Sequence, residues 1–187
     1  MFHDFYSTVI IYSTLCITKK GFTMRIAGLI QDSIVDGTGL RFVVFTQGCK
    51  QHCNGCHNPD TWNPDGGTEM TVDKIILEML GNPLTDGLTL SGGEPFLQAG
   101  ECAELDIAAK KNRLNVWVYS GFTFETLYAQ SQSEQQIRKL LELSDVLIDG
   151  QFVLADRTSS LKWRGSKNQR VLDVPKSLEA GEAVLLI

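Results

Sequence analysis

Three things are missing from this sequence of 187 residues: a long apolar run, an excess of basic charge, and cysteines arranged as two separated pairs. Phe5 to Ile17 is apolar with Ser and Thr mixed in, and its 13 residues are too few to span a bilayer. His3 and Asp4 stand before it and Lys19-Lys20 after it, so the basic start of a secretory signal is absent. The net charge of −5 leaves no electrostatic footprint for nucleic acid. No repeats or low-complexity tracts interrupt the chain. What remains, 43% hydrophobic and 21% charged, is the composition of a soluble globular chain with one core. The expected organisation is an N-terminal extension of unknown role over 1–23, able to add a strand, and a single domain over 24–187. Free thiols in small number belong to a reducing compartment, which points to the cytoplasm.

Three of the five cysteines fall within eight residues, Cys49-Lys50-Gln51-His52-Cys53-Asn54-Gly55-Cys56, spaced C-x₃-C-x₂-C and followed by His57. One loop of this kind can wrap a single soft-metal centre, because thiolates select zinc, Cu(I) or iron–sulfur clusters. Three thiolates leave a [4Fe–4S] cubane one ligand short, with an iron open to a substrate or cofactor. The same loop with His57 could instead make a Cys₃His zinc site, although zinc frameworks usually bring their ligands as two separated pairs. Disulfides are the third reading, with Cys16 and Cys102 as the only spare partners.

In chain order, Met24 to Ile34 reads as an edge strand leading into the glycine-rich turn Asp36–Gly39. Arg41 then reads as a solvated charge at a strand end. Phe42–Phe45 is continuously apolar, as in a strand of a parallel sheet covered on both faces. Thr71 caps a helix carrying Val72, Ile75, Ile76, Met79 and Leu80, which Gly81-Asn82-Pro83 ends. Leu88–Leu90 is the next strand, and residues 99–112 a helix with Leu105, Ala108 and Ala109 inward and Cys102 as a small buried hydrophobe. Val116–Tyr119 is a strand, Ser133 with Gln136 a capping box before Ile137, Leu140 and Leu141, and Val146–Ile148 a further strand. Strands alternating with helices predict an α/β fold with a mainly parallel sheet. Ligands bind beyond the carboxyl ends of such strands, and Cys49, Ser91, Ser120 and Asp149 all follow strand ends.

Leu88-Thr89-Leu90-Ser91-Gly92-Gly93-Glu94-Pro95 alone is a strand and a tight turn. Together with the cysteine spacing it resembles the radical S-adenosylmethionine enzymes. Val35–Arg41 and His57–Trp62 are similar to the glycyl-radical activases within that group. Val146–Phe152 and Trp163–Gln169 resemble those activases that serve anaerobic ribonucleoside-triphosphate reductase. The resemblance spans about Met24 to Val174.

The resemblance implies an open, partial (β/α) barrel of the radical SAM type. It implies a [4Fe–4S] cluster on Cys49, Cys53 and Cys56, and S-adenosylmethionine as cofactor. Gly92, Gly93 and Glu94 would hold the methionine end, Glu94 by accepting from the ammonium. Gly55 stands where many radical enzymes place an aromatic residue. His57 has two readings, an adenine contact or an ordinary loop histidine. Trp163 and Arg164 read as packing and surface charge, or as partner contacts. Reductive cleavage of the cofactor would yield a radical that removes a hydrogen atom from a glycine of the partner, the glycyl-radical subunit of the reductase. A low-potential donor such as flavodoxin would supply the electron, and neither nucleic acid nor membrane is a partner. Pyruvate formate-lyase is the alternative target, and a non-catalytic zinc module the alternative of another class.

Overall fold

A computed structural model describes residues 21–187. The apolar run at Phe5–Ile17 and Cys16 lie outside them.

The expected strands and helices form, with additions. The strands are β1 (Thr23–Ser33), β2 (Arg41–Thr46), β3 (Thr68–Thr71), β4 (Gly87–Gly92), β5 (Asn115–Tyr119), β6 (Val146–Asp149) and β7 (Arg170–Asp173). The helices are α1 (Val72–Met79), α2 (Ala99–Lys111), α3 (Phe124–Ser131), α4 (Gln135–Leu143) and α5 (Val174–Ala180). All seven strands join one sheet in the order β3-β1-β2-β4-β5-β6-β7. The central four run parallel, and β1, β3 and β7 attach antiparallel. The sheet is open, since β3 and β7 lie at opposite edges.

Strand periodicity sorts the core onto two faces. Phe42 and Val44, Leu88 and Leu90, Val116 and Val118, Leu147 and Leu172 face the helices, where they meet Ile75, Met79, Leu105, Leu127 and Leu140. The other face holds Trp117, Val146, Ile148 and Val171. Trp163, from the segment between β6 and β7, stands edge-on against Trp117 with centroids 4.8 Å apart. Trp163 thus packs on the sheet face opposite the helices and is half-buried there.

Arg41 departs from expectation. It is fully buried at the start of β2 on the face opposite the helices. Its guanidinium donates to Thr89 Oγ1 at 2.9 Å, to the carbonyl of Leu88 at 2.5 Å, and to the Asn115 side chain, and it lies over the Trp117 ring. Neighbouring glycines make the room: a Cβ on Gly87 would sit 2.2 Å from Nη1. Burial pulls the guanidinium down to about 10, still charged at neutral pH. The strand-end charge is a buried stitch across β2, β4 and β5.

Two smaller differences concern helices. α4 has Glu134 at its N-cap and no side-chain cap bond, so the Ser133/Gln136 box does not form. Ser133 instead belongs to the end of α3, where its hydroxyl donates to the Gln130 carbonyl. Ala108 is half-buried, whereas Cys102, Leu105 and Ala109 are fully covered.

Candidate active site

The cysteine loop leaves the end of β2 and is strapped down by the chain's own return. Gln47 is buried, and its Nε2 donates to the carbonyls of Asp60 at 2.9 Å and Asn63 at 2.7 Å. The Gly48 amide donates to Thr61 and the Cys49 amide to Trp62. His52, at a positive φ of 46°, stacks on Trp62 at 4.9 Å. Held in this way, Cys49, Cys53 and Cys56 line one recess of about 140 Å³, together with Gly92 and Gly93 at the end of β4 and Tyr119 and Ser120 at the end of β5. The convergence expected at the strand ends is thus present for Cys49, Ser91 and Ser120.

The thiols ring this space. Among the described residues no three His, Cys, Asp or Glu side chains close on a point as a single ion would require. Cys102 lies buried in α2 and does not line the recess, and burial pushes its thiol well up. Burial also pushes up the thiol of Cys49.

Gly92 and Gly93 are needed first for backbone approach. Gly92 has φ +97°, and a Cβ there would meet the backbone of Phe45 at 2.6 Å. A Cβ on Gly93 would lie 2.3 Å from the Gly48 carbonyl oxygen. Because both are bare, Gly93 N–H reaches the Thr46 carbonyl and Glu94 N–H the Gly48 carbonyl, each at 2.8 Å. The glycine pair fastens the root of the cysteine loop to β4.

Glu94 sits behind the recess and does not line it. It is only 1% exposed, and its carboxylate accepts from the Phe96 amide at 3.2 Å, the Ser120 hydroxyl at 2.9 Å and the Gly121 amide at 2.8 Å. Burial raises it to about 7 against the pull of these three donors. Its oxygens are committed to holding the turn after β5.

Just before the third cysteine, Gly55 adopts φ +73° on the exposed side of the loop. Leu154 occupies the position beside it, 2.9 Å from where a Cβ would stand. His57 and Phe152 both line the recess, their rings 5.0 Å apart and tilted. Phe152, Leu154 and Gly165 therefore lie against the end of the cysteine loop. Phe152 was invisible as a site residue in the sequence; the missing aromatic at Gly55 was the only hint that another segment must supply one.

Asp149, the fourth strand-end residue, is also structural. Its carboxylate accepts from the Phe124 amide at 2.7 Å and pairs with Arg170, whose guanidinium also grips Glu125. The pair holds the Arg170 guanidinium well up and the Glu125 carboxyl down at about 2. Among the described residues Arg164 has no such charge partner, and its Nε is buried without a hydrogen bond.

Comparison with known proteins bears on this arrangement. The model of the 4Fe-4S single cluster domain matches residues 35–172. The anaerobic ribonucleoside-triphosphate reductase-activating protein of Vibrio cholerae is 34% identical over 144 residues, covering 73% of this chain and 89% of that protein. Its Escherichia coli counterpart is 34% identical over 148 residues, covering 74% and 91%. The pyruvate formate-lyase-activating enzyme of Staphylococcus aureus is also 34% identical, over 152 residues, but only 59% of its length is covered, against 77% of this chain.

Proposed function

Because the chain belongs to the family of anaerobic ribonucleoside-triphosphate reductase-activating proteins, radical S-adenosylmethionine enzymes of the glycyl-radical type with a 4Fe-4S single cluster domain, we propose that it generates a glycyl radical on an anaerobic ribonucleoside-triphosphate reductase. The observation that carries this reading is the lining of one recess by three thiols and by the backbone of Gly92 and Gly93.

The donor set suits the group. Three thiolates on one loop match a [4Fe–4S] cluster with one iron left for a cofactor, and the fourth described cysteine is out of reach in α2. Cys49, Cys53 and Cys56 would hold the cluster. When bound, the cluster and S-adenosylmethionine together supply reductive cleavage of the cofactor's sulfur–carbon bond and the hydrogen abstraction that follows.

The chain's own residues bind and shield. Gly92 and Gly93 present bare backbone to the methionine end, and Glu94 keeps Ser120 and Gly121 in place from behind. His57 and Phe152 offer ring faces to the adenine, and Leu154 packs beside Gly55. Tyr119 forms part of the floor, and burial keeps its phenol protonated. The open sheet is read as a partial (β/α) barrel of the radical SAM type, with residues 24–187 as one domain whose unclosed side admits the partner's glycine. A low-potential donor such as flavodoxin supplies the electron, and the setting is cytoplasmic. Among the described residues no helix is long and apolar enough to cross a membrane.

The test mixes reduced protein and S-adenosylmethionine anaerobically with the reductase or with pyruvate formate-lyase and records electron paramagnetic resonance. A glycyl-radical doublet on the reductase is expected. A doublet only on pyruvate formate-lyase overturns the target, and iron retained by a Cys53→Ala variant but lost from Cys102→Ala overturns the cluster ligands.

A further inference from the structure

Between β6 and β7, residues 156–167 fold back on themselves as a hairpin. Arg157 bridges Ser166, the Thr158 amide donates to the Gly165 carbonyl at 3.1 Å, and the Lys167 amide to that of Asp156 at 3.0 Å. Arg157, Lys162, Arg164 and Lys167 against Asp156 give this stretch a charge of +3 in a chain whose total is −5. We propose that the hairpin, with the apolar residues at its root, is the docking surface of an acidic, low-potential electron-carrier protein. The carrier delivers its electron across the outer end of the cysteine loop; the inference rests on the activase reading above.

The hairpin is joined to the cysteine loop at its root. Leu154 stands 2.9 Å from where a Cβ on Gly55 would be, and Gly55 is covalently next to Cys56. On the returning arm, a Cβ at Gly165 would lie 3.0 Å from the Phe152 ring and 3.3 Å from that of His57. The Val153 amide donates to Ser166 Oγ at 3.2 Å, which ties the root to that arm. Electron transfer falls steeply with distance, so a carrier seated on Leu154 has a short path through Gly55 to a thiolate. In the activase reading the recess is taken by the cofactor and the partner's glycine. The exposed side of the loop, at Asn54 and Gly55, is the approach left to a carrier. One electron leaves the carrier and one enters the cluster; no bond is made or broken and no proton is exchanged.

The surface selects the carrier's charge. Arg157, Lys162 and Lys167 are exposed, and among the described residues no salt bridge engages them. Lys162 is held over the Trp163 ring at 5.9 Å, and Trp163 is itself packed on Trp117. A run of charge is ordinarily a solvated face. This one differs in opposing the sign of the whole chain and in flanking exposed apolar side chains, Val153 at 37% and Leu154 at 43%. Apolar contact within a rim of one charge suits a protein partner, whereas a phosphate site needs cations that converge on a point. The rim steers an anionic partner from a distance, and the small apolar centre lets it leave after the electron has passed.

The experiment uses the full-length chain with its cluster reconstituted and, as the probe, a reduced acidic flavodoxin. The triple variant Arg157→Glu/Lys162→Glu/Lys167→Glu should slow bleaching of the cluster by flavodoxin about tenfold or more at low salt, read by stopped-flow absorbance. The wild-type rate should fall as salt is raised, and the variant should lose that dependence. Photoreduced deazariboflavin, small and uncharged, should reduce both at one rate, with iron content and S-adenosylmethionine affinity unchanged. Lys74→Glu/Lys111→Glu/Arg113→Glu makes the same change of net charge on α1, at the end of α2 and in the turn before β5, and should keep the wild-type flavodoxin rate. Equal slowing by the two triple variants, or slowing by neither, overturns the proposal. So does slowing with deazariboflavin as well, which would make the hairpin a prop for the cluster. Lost affinity for the reductase at an unchanged flavodoxin rate also overturns it, and gives the surface to the reductase. A wild-type cluster that accepts the electron yet raises no glycyl radical removes the activase reading and leaves only the docking surface. A chain that binds no cluster removes both.

Discussion

The Ser120 hydroxyl donates to Glu94 at 2.9 Å, joining the turn after β5 to the turn after β4 within one buried contact. The acid of the Ser-Gly-Gly-Glu-Pro stretch bonds across to another strand's turn, and the first prediction separates a brace from a ligand.

Glu94→Gln places an amide NH₂ against the Gly121 N–H or the Ser120 and Phe96 donors, so one buried donor loses its acceptor. The metal-free chain should lose about 1–3 kcal/mol of stability in urea unfolding. S-adenosylmethionine affinity should fall with it. Lost affinity at unchanged stability would instead assign Glu94 to the cofactor's ammonium.

Gly93→Ala should reduce reconstituted iron strongly, because its Cβ would meet the Gly48 carbonyl at 2.3 Å and neither backbone can yield. Gly28→Ala is the control, since nothing lies within 4 Å of its Cβ. Equal iron content in the two variants would show that the glycine pair does not hold the cysteine loop.

Arg41→Lys keeps the charge and loses the fork. A lysine at this depth leaves acceptors on Leu88, Thr89 and Asn115 unmatched, so stability should fall by about 3 kcal/mol or more. A urea midpoint within experimental error of wild type would refute the stitching role.

Asp106 supplies the pH test. It is fully buried in α2, neither side-chain oxygen is hydrogen-bonded among the described residues, and burial pushes its carboxyl well above the usual range. The unfolded chain releases this proton near pH 4, roughly the ordinary aspartate value, whereas the folded chain keeps it. Above that pH the folded state binds more protons, so stability falls as pH rises. Asp106→Asn should remove this slope, gaining on wild type between pH 5 and pH 8 in urea unfolding. A gap independent of pH would mean that Asp106 is ionised in the fold.

The parts of the site legible in the sequence were those written in one loop. Cysteine spacing and a glycine pair after a strand are local signals, and the strands that carry them, Phe42–Phe45 and Leu88–Leu90, are short, mostly apolar stretches. Arg41 was misread because its partners lie 47 to 74 residues away, and Gly87 reveals its purpose only once β2 and β4 are in register. The contacts of Glu94 were illegible for a similar reason: its neighbours Ser120 and Gly121 arrive from another strand. β7 was missed because four residues, only two of them buried, carry little pattern. α3 buries only Phe124, Leu127 and Ser131, which is a thin stripe to find among polar residues.

The stitch of Arg41 under Trp117, with Trp163 edge-on to the same ring, has a bearing on traffic. Buried side chains pack against Tyr119, so protein backs the thiol recess on that side. An occupant that fills the recess would then also shield the cluster from air, and loss of the cluster's colour under oxygen should slow while S-adenosylmethionine is bound.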